Sequence, residues 1–321
     1  MREAANLEYG GRTVLVTGGA GFIGSHLVDA LLARGATVRV LDDLSAGRES
    51  NLDEAKRTLE ARDPTERLRF IRGSMLNDAA LRDATAGADI VFHQAAIASV
   101  PRSVREPVRY LQTNTMGALH VLEAAKQAGV KRLVYAASSS AYGDQPGLPR
   151  RETMPADLRS PYAAAKISGE WLAQAFAKTS GLETVSLRYF NIFGPRQRAD
   201  SAYAAVIPLF CRSLIRGETP IIYGDGSQTR DFTFVANAVH ANILAGAASA
   251  EMRGEVLNVA TGERSSVLEL LEAVARELGM EPKYELRPPR AGEVRDSLAD
   301  IERARELIGY EPIVPFREGL A

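Results

Sequence analysis

Residues 13–24 read Thr13-Val14-Leu15-Val16-Thr17-Gly18-Gly19-Ala20-Gly21-Phe22-Ile23-Gly24, and this stretch decides the fold. Residues 13–17 form a short apolar, β-branched run, the composition of a buried strand. The glycines after it supply the positive-φ freedom of a tight turn and let backbone N–H groups approach an anion. A helical pattern follows from Ser25 to Arg34, with the positive end of the helix near Phe22. Gly35 ends that helix, and residues 37–41 (TVRVL) read as a second strand. Strand, glycine turn, helix and strand make a βαβ unit, which demands parallel pairing. Asp42 ends the second strand, 18 residues after Gly24. A carboxylate there accepts hydrogen bonds from ribose hydroxyls and repels a 2′-phosphate, so NAD is favoured over NADP. Arg48, six residues on, softens that preference. Gly18, Gly21, Phe22, Ile23 and Asp42 are therefore candidate cofactor-binding residues.

The alternation continues outward. Further strands are expected at 68–71, 90–93, 133–137, 184–188 and 255–259, with helices at 106–128 and 162–178. A βαβα order predicts an α/β fold, a doubly wound, Rossmann-type parallel sheet with helices on both faces. Gly194-Pro195 breaks the pattern, and residues 196–201 read as a polar loop. The last third carries a helix near 267–278 and a Pro-rich connector at 281–289. The expected division is a dinucleotide-binding domain from residues 1–195 plus about 228–260, and a smaller substrate lobe from about 196–227 and 261–321.

Composition excludes several classes. With 39 Lys+Arg against 40 Asp+Glu, the net charge of −1 gives no reason to expect nucleic-acid or acidic-membrane binding. No apolar run reaches about 18 residues, so no membrane span is expected, and the N-terminus lacks the apolar stretch of a secretion signal. Cys211 is the single cysteine, which rules out an internal disulfide and fits a reducing, cytoplasmic compartment. His26, His93, His120 and His240 are scattered, so no metal site is expected.

Ser160-Pro161-Tyr162-Ala163-Ala164-Ala165-Lys166 places a tyrosine and a lysine at i and i+4, on one helix face. A phenol near pKa ~10 is a poor base at neutral pH. A neighbouring ammonium favours the phenolate, and a positive nicotinamide ring adds to that effect. Tyr162 thus reads as a general base tuned by Lys166.

With both motifs in hand, the sequence resembles the extended short-chain dehydrogenase/reductase superfamily over nearly its whole length. More narrowly, it resembles the nucleotide-sugar 4-epimerases that act on UDP-glucose and UDP-N-acetylglucosamine. The stretches that carry the likeness are VTGGAGFIGSHL (16–27), HQAAIASVPRS (93–103), AASSSAYGD (136–144), SPYAAAKISGE (160–170), LRYFNIFGPRQ (187–197), GDGSQTRDFTFV (224–235) and RAGEVRDSLAD (290–300). The resemblance implies that Ser138 bonds the sugar 4-oxygen and shares its proton with Tyr162, while Lys166 also holds the nicotinamide ribose. It implies cofactor contacts at Asp43, Ser45, Gly47, Ser74, Met75, Gln94, Ala95, Ala96, Asn114 and Tyr189. On the substrate side it implies Asn191, Arg230 and Arg290 at the phosphates, Glu293 at the nucleotide ribose and Tyr223 at the base. Ser99, Ser140, Val206 and Ser297 complete the implied substrate pocket. A homodimer is implied, through helices near 105–128 and 162–178. Trp171 is expected in the core or at a subunit contact, and Cys211 and His93 are expected to be structural.

The implied activity is NAD-dependent inversion at C4 of a UDP-hexose. The competing readings are a dehydratase, decarboxylase or reductase of the same superfamily, and a non-enzymatic NAD-binding sensor or scaffold. Dehydratases of the superfamily resemble this chain but carry Asp-Glu where Ser139-Ser140 stand, and decarboxylating relatives carry Glu near Ser140-Ala141. Glucuronate-type epimerases have Thr at the Asn191 position, and sensors lose the Tyr or Lys. Strict hexose epimerases carry a bulky Tyr at the Ser297 position, so a small residue there suits an N-acetylated sugar. UDP-GlcNAc and UDP-GalNAc are the expected pair, with UDP-glucose and UDP-galactose beside them. Three departures stand out. Ser74 replaces an Asp that bonds the adenine amine, Asn237 replaces an Asp, and relatives continue beyond the PFREGLA ending.

Overall fold

A computed structural model describes residues 9–62, 67–198, 205–289 and 294–321. The strands of the first half are β1 (Thr13–Thr17), β2 (Thr37–Asp42), β3 (Leu68–Arg72), β4 (Ile90–His93), β5 (Arg132–Ser138) and β6 (Glu183–Tyr189). Four short strands follow, β7 (Ile192–Phe193), β8 (Ile221–Tyr223), β9 (Thr229–Arg230) and β10 (Thr233–Phe234). Then come β11 (Arg253–Val259), β12 (Ser265–Ser266) and β13 (Glu285–Arg287). The helices used below are α1 (Phe22–Ala33), α2 (Asp53–Arg62), α3 (Asp78–Thr85), α4 (Val100–Arg105) and α5 (Pro107–Tyr110). Beyond them lie α6 (Gly117–Gln127), α7 (Pro161–Ser180), α8 (Val206–Ile215), α9 (Val235–Ala247) and α10 (Val267–Glu277).

Seven strands form one sheet in the order β11-β6-β5-β4-β1-β2-β3, and every pair is parallel. Central strands with both faces covered must be apolar throughout. Thus β4 is buried at all four residues, and β5 at six of its seven. One face is sealed by α1 and α9, whose Leu27, Val28, Leu31, Val239 and Ile243 meet Val14, Val16 and Val134. On the other face α3, α6 and α7 bring Leu81, Val121, Leu122 and Ala173 against Leu15, Val91 and Leu133. Because β1 is flanked by β2 and β4, the chain reverses its winding there, and a crevice opens at the carboxyl ends of these strands.

A separate apolar cluster joins α8, α10 and β8, where Ile207, Phe210, Ile222, Leu270 and Leu271 pack together. Its short strands pair β8 with β13, β9 with β12 and β7 with β10. The connector expected at 281–289 therefore includes a strand, held by Glu285 N–H donating to the Pro220 carbonyl at 2.9 Å. The helix expected across 106–128 is continuous from Pro107 to Gln127, and within it residues Leu111–Met116 widen into a π segment. Asn114 in that segment accepts from Ile97 N at 2.8 Å and donates to Ile97 O at 3.0 Å. Trp171 is 53% exposed, which excludes the core. Cys211 is half-buried against the α8 cluster. Asn237, in place of an Asp, uses both ends of its amide. It accepts from Ile313 and Val314 N–H at 2.8 and 2.9 Å and donates to Val314 O at 2.7 Å, which a carboxylate could not do.

Candidate active site

The glycine turn leads directly into the crevice. Gly18 has φ +69°, and a Cβ there would stand 2.7 Å from the Ala95 backbone. A Cβ on Gly24 would fall 2.2 Å from Gly18 O, so α1 can start this close to β1 only with glycine there. Gly21 N-caps α1 and, having no side chain, makes no capping bond to its free N–H groups. The first turn of this 12-residue helix is thus left to an outside acceptor such as a phosphate.

These elements wall a cleft of about 760 Å³. Gly18, Gly21, Phe22 and Ile23 form its floor; Asp42, Asp43, Ser45 and Gly47 follow from the end of β2. Asp42 accepts from Ala20 N at 3.0 Å and from Leu44 N at 2.8 Å. Burial raises its carboxyl above the usual range, and those two bonds oppose the rise. Ser74 and Met75 line the cleft after β3, with the Ser74 hydroxyl accepting from Leu76 N at 3.2 Å. Gln94, Ala95 and Ala96 line it after β4, and Tyr189 at the end of β6. Tyr189 donates to Gln94 Oε1 at 3.1 Å, Gln94 donates to Asn242 at 2.9 Å, and Asn242 donates back to Tyr189 at 2.7 Å. Asn242, on α9, escaped the sequence reading because no local pattern links it to the cleft. Asn114 does not line the cleft; it fixes Ile97, which does.

A second omission is the strap after β7. Arg196, Gln197 and Arg198 also line the cleft. Arg196 donates to Asp29 on α1 at 2.7 Å and to Glu54 on α2 at 3.1 Å, which ties the strap to the first βαβ unit. Another hollow of about 450 Å³, between α3 and α6, shares no residue with the cleft; His120 and Asp78, 2.8 Å apart, lie in it. Among the described residues, no group of three His, Cys, Asp or Glu side chains could hold a metal ion. No helix there is long and apolar enough to cross a membrane.

Tyr162 and Lys166 stand on the cleft wall, on α7. Ser160 caps this helix by accepting from Ala163 N at 3.1 Å, and Pro161 fits its first turn. Burial raises the Tyr162 phenol, and the Ser138 side chain opposes the rise. The Tyr110 ring stands edge-on to Tyr162, with centroids 6.4 Å apart. Lys166 is 5% exposed, and burial pushes its ammonium down to about 7 against the opposing pull of Glu170. Beneath it, His93 bonds Thr17 Oγ1 at 2.7 Å. Burial and the Lys166 charge lower that imidazole to about 3, so it is neutral. Ser140 lies beside Ser138, and its hydroxyl is buried with no hydrogen-bond partner among the described residues.

Of the remaining substrate-side residues, Asn191, Arg230 and Ser297 meet at residues 229–231. Asn191 has φ +38° and donates to Asp231 O at 3.1 Å. Arg230 donates to Thr229 O at 2.8 Å and Arg295 O at 2.9 Å, and Ser297 N donates to the same Thr229 carbonyl at 3.1 Å. The Asp231 carboxylate accepts from Thr261 N, Thr261 Oγ1, Gly262 N and Ala299 N at 2.9, 2.7, 3.1 and 3.3 Å. Burial pushes that carboxyl up to about 6 even so. Ser99 caps α4, accepting from Arg102 N at 3.3 Å. Val206 begins α8, and Tyr223 ends β8. Arg290 and Glu293 lie outside the described residues.

A parallel sheet with this winding, an uncapped helix at a glycine turn, and a Tyr–Lys pair on the cleft wall define a dinucleotide-dependent enzyme of the short-chain dehydrogenase/reductase type. Residues 14–260 match the family "NAD dependent epimerase/dehydratase". The UDP-glucose 4-epimerase of Mycolicibacterium smegmatis is 40% identical over 310 residues, covering 96% of each chain. Among solved structures, the UDP-N-acetylglucosamine 4-epimerase of Methanobrevibacter ruminantium M1, in complex with UDP-N-acetylmuramic acid, superposes with a TM-score of 0.89 at 40% identity. That match covers 97% of this chain and 96% of the other. The UDP-glucose 4-epimerase of Thermotoga maritima, with UDP-glucose, gives 0.88 at 38% identity, covering 96% of both chains. The chain belongs to the NAD dependent epimerase/dehydratase family, among its UDP-sugar 4-epimerases, and its cofactor is NAD.

Proposed function

We propose that this enzyme inverts C4 of a UDP-hexose through a transient 4-keto sugar, with UDP-GlcNAc and UDP-GalNAc as its main pair and UDP-glucose and UDP-galactose as further substrates. The observation that carries this reading is that Tyr162 and Lys166 stand together on the wall of the same cleft that holds the glycine turn. NAD bound in the cleft supplies a reversible hydride acceptor. Tyr162 takes the proton of the sugar 4-hydroxyl as C4 gives up its hydride, and returns that proton when hydride comes back to the opposite face. Ser138 orients the 4-oxygen and relays the proton, and Lys166 favours the phenolate electrostatically. Arg230, Arg290 and Asn191 hold the diphosphate while the sugar turns over. Guanidinium groups suit phosphate oxygens through charge-assisted paired bonds. Glu293 and Tyr223 hold the nucleoside.

Ser139 and Ser140 supply no carboxylate for elimination of the 6-hydroxyl. The small Ser297 leaves space at C2. We assign the active form as a homodimer built on the helices near 105–128 and 162–178, where Val108 and Trp171 are 65% and 53% exposed, and its compartment as the cytoplasm. A nucleotide-sugar panel without added NAD, scored by NMR for C4 inversion, tests the assignment. Inversion of the acetylated pair is expected, and Ser297→Tyr is expected to shift relative kcat/KM toward the plain sugars. A preference for plain sugars that Ser297→Tyr leaves unaltered defeats the size argument.

A further inference from the structure

We propose that Tyr135 is a positioning residue for Lys166, its ring face holding the lysine ammonium at the cleft wall and keeping it charged. This rests on the role given to Lys166 beside Tyr162. The Lys166 Nζ lies 4.4 Å from the Tyr135 ring centroid, and the two residues are 5% and 1% exposed. A buried ammonium needs compensation for its lost water. Glu170, one helical turn on, is the carboxylate that acts on Lys166, yet Arg188 occupies both its oxygens at 2.9 and 2.7 Å. The negative face of an aromatic ring supplies the compensation instead, most strongly where water is excluded.

The ring itself is fixed on three sides. The Tyr135 hydroxyl donates to Lys166 O at 3.2 Å, and the His93 ring packs with its centroid 5.5 Å away. Gly169 leaves room for the phenol, because a Cβ there would stand 2.3 Å from its oxygen. Tyr135 lines no part of the cleft, so it acts through Lys166 alone. The titratable and charged groups around Lys166 are Tyr162 and Glu170 on α7, Tyr135 on β5 and neutral His93 on β4. Tyr110 and Arg188 stand behind Tyr162 and Glu170 respectively. With the ammonium already near its titration point, a small loss of ring attraction neutralises it.

The test replaces Tyr135 with Phe, then with 4-fluoro-, 3,5-difluoro- and 3,4,5-trifluorophenylalanine. Volume stays nearly constant across this series while the ring face loses negative charge. The Lys166 titration is followed by NMR of ε-13C-lysine, assigned with Lys166→Met, and kcat and KM are measured on the same proteins. From Phe to trifluorophenylalanine, we expect the Lys166 titration to fall by about one pH unit and kcat by about tenfold. The alkaline limb of kcat moves to lower pH, and KM for the sugar nucleotide stays constant. A flat Lys166 titration and a flat kcat across the series overturn the proposal. If Lys166→Met instead keeps full activity, the role of Lys166 itself fails, and the NMR titration still reports whether the ring holds the ammonium.

Discussion

Arg188 on β6 clasps Glu170 on α7 through two parallel hydrogen bonds, Nε to Oε2 at 2.9 Å and Nη2 to Oε1 at 2.7 Å. Both side chains are buried, at 6% and 2% exposure. The guanidinium also lies 4.7 Å from the Tyr142 ring centroid, and Tyr142 donates to Asn258 at 2.7 Å. The pair thus ties α7, which carries Tyr162 and Lys166, to the sheet. Removing one partner leaves an uncompensated buried charge. We predict that Glu170→Ala costs about 3–5 kcal/mol in urea unfolding, and that the double variant Glu170→Leu/Arg188→Met recovers most of it. A double variant as unstable as the single one would show that the ion pair is not what holds the helix.

Lys166 gives stability a defined pH dependence. Its folded pKa, about 7, lies below the ordinary lysine value of 10.5. The folded state therefore bears the full cost of the buried charge below pH 7, and that cost disappears as pH rises toward 10.5. Lys166→Met is expected to raise the thermal midpoint at pH 6 to 7, with the gain vanishing near pH 10. Calorimetry across that range checks the sign, and an equal gain at every pH contradicts it.

Asp231 collects four donors from two segments, residues 261–262 and Ala299. An amide in its place would turn an NH2 group toward N–H donors. Asp231→Asn should lose roughly 1–3 kcal/mol of stability or more. It should also raise KM for the sugar nucleotide, because Arg230 and Asn191 are held beside it. Urea unfolding and initial-rate kinetics measure the two effects.

Gly18 combines a φ of +69° with a Cβ position 2.7 Å from the Ala95 backbone. Gly18→Ala must therefore move either the turn or the Gln94–Ala96 segment, both of which line the cleft. A fall in NAD affinity of tenfold or more is expected, read by fluorescence or calorimetric titration. Affinity within twofold of the parent would remove the turn from the cofactor site.

Local chemistry alone made the glycine turn, the Asp42 position, the parallel alternation and the Tyr162–Lys166 spacing legible in the sequence. Each depends on residues close in the chain: glycine at a positive φ, apolar runs that fit only a doubly covered strand, and a four-residue step that places two side chains on one helix face. Tertiary structure decided what distant segments do to one another. It widened the helix into a π segment at Leu111–Met116 and bonded Asn114 there to Ile97, closed the Tyr189–Gln94–Asn242 ring and seated Lys166 on Tyr135. No spacing rule encodes such contacts, because burial and hydrogen-bond geometry in three dimensions select the partners.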